Sequence, residues 1–121
     1  MVAALDLKAF VPSIDFVTSK AFYTKLGFTE NWSTGDLAEF ECSGCKFLLQ
    51  NFYEKEFAEN LMMQLMVEDA AAWWSAIETT GLLEEFPGAR AKAPETQPWG
   101  QTVLYLWDPA GVLWHIAEPM S

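Results

Sequence analysis

The chain has 121 residues, 51% of them apolar, with nine Phe and six Trp; this fits one globular domain, or two small halves sharing a core, and excludes a disordered chain. Seventeen acidic against seven basic residues leave a formal charge of -10, which disfavours nucleic-acid backbones and anionic membranes and favours a cationic ligand or partner. No apolar run is long enough to span a membrane and the first residues carry no basic stretch leading into an apolar core, so a cytoplasmic chain is expected.

Residues 8–14 read as a first strand, with Pro12 favouring a sheet edge. Residues 17–26 read as a helix: Phe22 and Leu26 share a face, Lys20 and Lys25 point outward, and Gly27 supplies the terminating glycine. Residues 28–32 begin the next strand, Thr34-Gly35-Asp36 turns the chain, and 37–42 and 46–52 are two further strands joined at Ser43-Gly44. A charged connector is expected over 54–60, then a strand over 61–67. Asp69 can cap a helix over 70–80 whose apolar face holds Trp73, Trp74 and Ile77, and Gly81 ends it. These tryptophans are expected to pack helix on sheet or to meet a neighbouring subunit. Residues 86–99 contain Pro87, Gly88, Pro94 and Pro98 and are expected to form a long loop, holding at most a short strand. Residues 101–107 and 112–117 close the chain as a hairpin.

The order is strand, helix, three strands, and then approximately the same again, with Gly27-Phe28 and Gly81-Leu82 at matching helix exits. The pattern predicts an α+β fold in which two small curved sheets, each covered on one face by a helix, leave concave surfaces. One domain over 1–121 is expected, with modules at approximately 5–53 and 60–118. Dimerisation would cover sheet edges in so short a chain.

Ser13-x-Asp15-x-x-x-Ser19-x-Ala21-Phe22-Tyr23-x-x-Leu26-Gly27-Phe28 resembles the first-module pattern of the vicinal-oxygen-chelate superfamily, which holds glyoxalases, ring-cleaving dioxygenases and bleomycin-resistance proteins. Trp99-Gly100 ahead of the last two strands, and Asp108-Pro109-x-Gly111 between them, resemble the bleomycin-resistance branch more closely. The resemblance implies paired βαβββ modules, mixed sheets with flanking helices, and a homodimer with two pockets between subunits.

Metal-dependent members carry His, Gln or Glu on the strands facing the cavity. The resemblance places these positions at Lys8, at Met62 (or, shifted by two, Gln64) and at His115, with a fourth among Glu39, Glu41 and Gln50. A protonated lysine repels a cation and a thioether is a soft ligand. His115 is the chain's single imidazole, and one imidazole rarely holds zinc, iron or manganese without anionic or imidazole partners. No metal or other cofactor is therefore expected; the set best able to hold a divalent ion is His115, Gln64 and Glu39.

In the last strand Leu113, His115 and Ala117 share one face and Val112, Trp114 and Ile116 the other. The resemblance implies that His115 faces the cavity while Trp114 packs beneath the sheet or at an interface. Val103, Tyr105 and Trp107 lie together, in a direction set by register. The expected cavity lining is Trp32, Phe47, Gln64, Trp99, Tyr105, Trp107 and His115, a surface suited to a flat or cationic organic molecule. Trp99 has a second reading, as a clamp holding the long loop on the sheet.

The expected function is non-catalytic binding or sequestration of a small organic ligand, such as a cationic aromatic or glycopeptide, in a dimer cleft. The alternative is a metal-dependent lyase, isomerase or dioxygenase acting on a vicinal oxygenated substrate. Cys42-Ser43-Gly44-Cys45 has the spacing of a redox or zinc half-site, but it flanks a turn and has no second pair. It forms no disulfide framework. No glycine-rich phosphate loop or ordered acyl-transfer triad is present, so no catalytic residue is assigned.

Overall fold

A computed structural model of the protein describes residues 2–120; the expected domain span also includes Met1 and Ser121, which lie outside the described residues. Strand β1 (Phe10–Pro12) is followed by helix α1 (Phe16–Leu26) and strands β2 (Thr29–Ser33), β3 (Leu37–Cys42) and β4 (Cys45–Gln50). Helix α2 (Lys55–Asn60) leads to β5 (Met62–Met66), α3 (Ala70–Thr80), α4 (Leu82–Glu85), β6 (Arg90–Thr96), β7 (Thr102–Trp107) and β8 (Leu113–Ala117).

The strand orders are β1-β4-β3-β2 and β5-β8-β7-β6. In each sheet the first strand runs parallel to the fourth, and the other neighbours are antiparallel. The two halves therefore repeat one topology, and every ladder closes within its own half. Pro12 lies on an edge strand, where its missing N–H disrupts no central ladder.

Local chemistry sets most boundaries. Asp15 accepts from Thr18 N at 3.1 Å to start α1, and Gly27 at φ 123° lets the chain leave it. β1 is shorter than the 8–14 expectation because Ser13 turns away, its N–H donating to Phe52 O and its Oγ to Gln50 O. Asp69 caps α3 through Ala72 N at 3.1 Å.

Two expectations are corrected. The connector over 54–60 contains α2: Glu54 caps it by accepting from Glu56 and Phe57 N–H, and Ala58 anchors it in the core. A helix this short shows too few turns for its face to be read as a period. The loop over 86–99 contains the seven-residue strand β6. Apart from Thr96 at its end, its sequence lacks the β-branched and aromatic residues that mark strands, and it includes Pro94, yet it sits at a sheet edge with a register shift between Lys92 and Glu95. Tertiary pairing overrides weak propensity there.

The helix-covered faces of the two sheets share one core. Phe22, Tyr23 and Leu26 of α1 lie buried beside Phe28, Phe40 and Phe47, while Leu104, Leu106, Trp114 and Ile116 enter from the second half. The Trp114 ring lies 5.2 Å from that of Phe47 and 5.7 Å from those of Phe28 and Tyr23, in tilted or edge-on geometries. Fully burying such side chains contributes roughly 1.5–3 kcal/mol each. A polar chain crosses the same junction: Trp114 Nε1 donates to Tyr23 Oη at 2.9 Å, and Tyr23 donates to Asp108 Oδ2 at 2.6 Å. Asp108 Oδ1 accepts from the N–H groups of Ala110 and Val112, which shapes the β7–β8 turn.

Candidate functional site

Because alternate residues of a strand point to opposite faces, each sheet has a second face away from the shared core, which its own chain covers only in part. Register places two rows of side chains on that face of the second sheet. One row runs Gln64, His115, Tyr105 and Lys92; the next runs Met62, Leu113, Trp107 and Arg90. The Tyr105 and Trp107 rings stack with centroids 6.2 Å apart, and the Tyr105 ring meets His115 edge-on at 4.8 Å. The Arg90 guanidinium lies 3.9 Å from the Trp107 ring centre, a cation–π contact.

The corresponding face of the first sheet carries carboxylates. Phe10, Leu48, Glu39 and Trp32 form one row across it. Glu39 is 6% exposed and accepts from Lys8 Nζ and, at 2.9 Å, from Asn31 Nδ2. The hydrogen bond from Lys8, with Asn31 adding to it, holds the Glu39 carboxyl below its usual range; the same bond raises the lysine. Asn31 also donates to Glu41 at 2.9 Å. It is the extra residue of an irregularity between Glu30 and Trp32, so the bulge aims an amide at two acids.

The structure gathers Gln64, Tyr105, Trp107 and His115 on one face, as four of the seven expected lining residues. Trp32 lies on the carboxylate face of the first sheet, 42% exposed. Trp99 occupies the β6–β7 loop, 51% exposed, and its indole donates to Gln101 at 2.8 Å. Phe47 is a correction: it is 1% exposed, pairs with Phe40, and packs against Tyr23 and Trp114 in the core. The alternation of β4 puts Phe47 and Leu49 on the helix side and Leu48 on the open side, a facing that needs the register to decide. Trp114 lies beneath the sheet as expected, and Trp73 and Trp74 are half-buried against the core.

Sequence reasoning missed Arg90 and Lys92 because their strand was missed. It also missed Leu113 and Leu48; for Leu113 the signal was present, since it shares a face with His115.

The metal-binding positions do not fit an ion. Gln64 stands directly across from His115, but Lys8 occupies one Glu39 oxygen and Asn31 the other. Lys8 puts an ammonium at the first position, and Met62 flanks Gln64 with a thioether. Among the described residues no group of three or more His, Cys, Asp or Glu could hold a metal ion, and no helix is long and apolar enough to cross a membrane.

A family model for the Glyoxalase/Bleomycin resistance protein/Dioxygenase superfamily matches residues 8–116. A bleomycin resistance protein of Klebsiella pneumoniae is 30% identical along an alignment 118 positions long that covers 89% of this chain and 87% of that relative. The crystal structure of a bleomycin-binding protein complexed with bleomycin superposes with a TM-score of 0.80 at 25% identity, covering 96% of this chain and 99% of that one. That of a bleomycin resistance determinant encoded on the transposon Tn5 gives 0.79 at 26% identity, covering 94% and 98%. By its repeated sheet topology, its shared core and these matches, the chain belongs to the glyoxalase/bleomycin resistance protein/dioxygenase superfamily.

Proposed function

We propose that this protein binds a bulky cationic glycopeptide antibiotic of the bleomycin type and holds it chemically unchanged in clefts between two subunits. The observation that carries the reading is the open row of Gln64, His115 and Tyr105 beside Trp107. Rings and amides on a rigid sheet offer contact area to heteroaromatic groups at small entropic cost. Glu41, whose contact is with the neutral Asn31 amide, within a chain of formal charge -10, attracts cationic groups. The likeness to a bleomycin-binding protein solved with bleomycin supports the ligand class.

A second copy is part of the proposal. The two open faces are only partly covered within one chain, leaving Met62, Trp32 and Phe10 exposed. The N-terminal arm adds Val2, Leu5 and Leu7, each more than nine-tenths exposed, and a solvated apolar arm is a natural contact for a partner. The dimer would set the carboxylate face of one subunit and the aromatic face of its partner around each pocket. The donor set favours sequestration over metal-assisted chemistry, because Lys8 neutralises the carboxylate a metal would need.

The test is incubation with bleomycin, followed by sedimentation and mass spectrometry of the recovered drug. A dimer that co-sediments with the drug and returns it at unchanged mass supports the reading. A monomer, or a chemically altered drug, contradicts it.

A further inference from the structure

The register of the β3–β4 hairpin places Cys42 and Cys45 directly opposite each other across the two-residue turn Ser43-Gly44. Ser43 at φ 52° and Gly44 at φ 84° give the turn two left-handed residues, the twist that keeps hairpin strands paired. Cross-strand partners project to the same face, and two steps along each strand lie Phe40 and Phe47, on the core side. Both thiols are free and share the rim of the junction between the two halves. The cysteines differ in access: Cys45 is exposed, while Cys42 is half-buried.

Beside them lies a crevice of about 450 Å³, lined also by Met66, Glu68, Asp69 and Trp73. A second crevice behind Cys42 is bounded by Leu26, Gly27 and Trp73. The first gives a small reactant room to reach Cys45. This site is separate from the open sheet faces on which the ligand reading rests.

We propose that Cys42 and Cys45 form a thiol–disulfide exchange site that closes reversibly within one chain. The oxidant is a small-molecule disulfide such as oxidised glutathione. The exposed Cys45 thiolate attacks one sulfur of that disulfide; a mixed disulfide forms and one glutathione thiolate leaves. The Cys42 thiolate then attacks Cys45 Sγ, the Cys42–Cys45 bond forms, and the second glutathione thiolate leaves. The two protons given up by the cysteines end on two glutathione thiols, so one disulfide is consumed and one made.

Cross-strand Cβ atoms stand about 4.5–5.5 Å apart, whereas a relaxed disulfide brings them to about 3.8 Å. The hairpin holds the thiols close enough to react, yet disfavours a relaxed bond. Such a bond is readily reduced, the behaviour of a labile disulfide and not of a structural one.

The test uses the full chain titrated with oxidised glutathione and read by thiol counting, intact mass and non-reducing electrophoresis. Wild type is expected to lose both thiols and two hydrogens, carry no glutathione, remain free of covalent links between chains, and recover both thiols in excess reduced glutathione. Cys42→Ser is expected to stop at a glutathione adduct on Cys45. A stable glutathione adduct on wild type, covalently joined chains, or two thiols that stay free would each overturn the proposal. The wild-type result decides whether or not the variant folds.

Discussion

Replacing Tyr23 with Phe isolates the polar chain that joins the two halves. The Tyr23 hydroxyl is buried, donates to Asp108 Oδ2 at 2.6 Å and accepts from Trp114 Nε1 at 2.9 Å. Its removal orphans one carboxylate oxygen and one indole N–H, and the atom-sized gap has no room for a replacing water. Each unsatisfied group costs about 1–3 kcal/mol, so a loss of about 3 kcal/mol is expected. Burial pushes the Asp108 carboxyl up to about 6 from an ordinary value of 3.8, while Tyr23 and the turn N–H groups pull it down. Between these values the native state keeps a proton that the unfolded chain has released. Stability from protonated Asp108 is thus full below about pH 4 and lost as pH rises through about 6, an effect of roughly 3 kcal/mol. Without Tyr23 the ionised carboxylate loses a donor, so the variant should suffer more at pH 8 than at pH 5. Urea unfolding followed by tryptophan fluorescence at both pH values, with an unchanged denaturant slope, measures this. A loss below about 1 kcal/mol at pH 8, or equal losses at both pH values, would refute the reasoning.

Phe47→Ala should cost about 3–5 kcal/mol in unfolding free energy, because its ring fills the core; folded protein prepared at low temperature should keep its affinity for bleomycin within a few-fold. Trp107→Ala should do the reverse, leaving the urea midpoint close to wild type and weakening bleomycin binding by about 1–3 kcal/mol, roughly 5- to 150-fold, measured by fluorescence titration. Raising the salt concentration from 50 mM to 500 mM should weaken binding of the cationic drug by slowing association, measurable by stopped flow, because exposed charges steer the encounter.

Much of the architecture is legible in the chain because its signals are local. Asp15 and Gly27 bracket α1, Asp69 and Gly81 bracket α3, and Ser43-Gly44 fixes the β3–β4 hairpin. β6 and α2 escape such reading. β6 is held by pairing with β7 and not by its own composition, and α2 is too short to display a period. The site divides the same way. His115 can be placed by counting from the nearby turn; the same counting gives Met62 or, shifted by two, Gln64, and the register sets Gln64 beside His115. Phe47 cannot, because a one-residue change of register reverses its face. The engagement of Glu39 by Lys8 spans 31 residues of sequence and is visible only in three dimensions.

Isothermal titration of the protein with bleomycin tests sequestration most directly. Saturable exothermic binding at one drug per chain, tighter than micromolar and weakened in Trp107→Ala, is the predicted result; at 1 μM the binding free energy is about −8 kcal/mol. No saturable heat, with no shift in melting temperature at millimolar drug, would contradict the account.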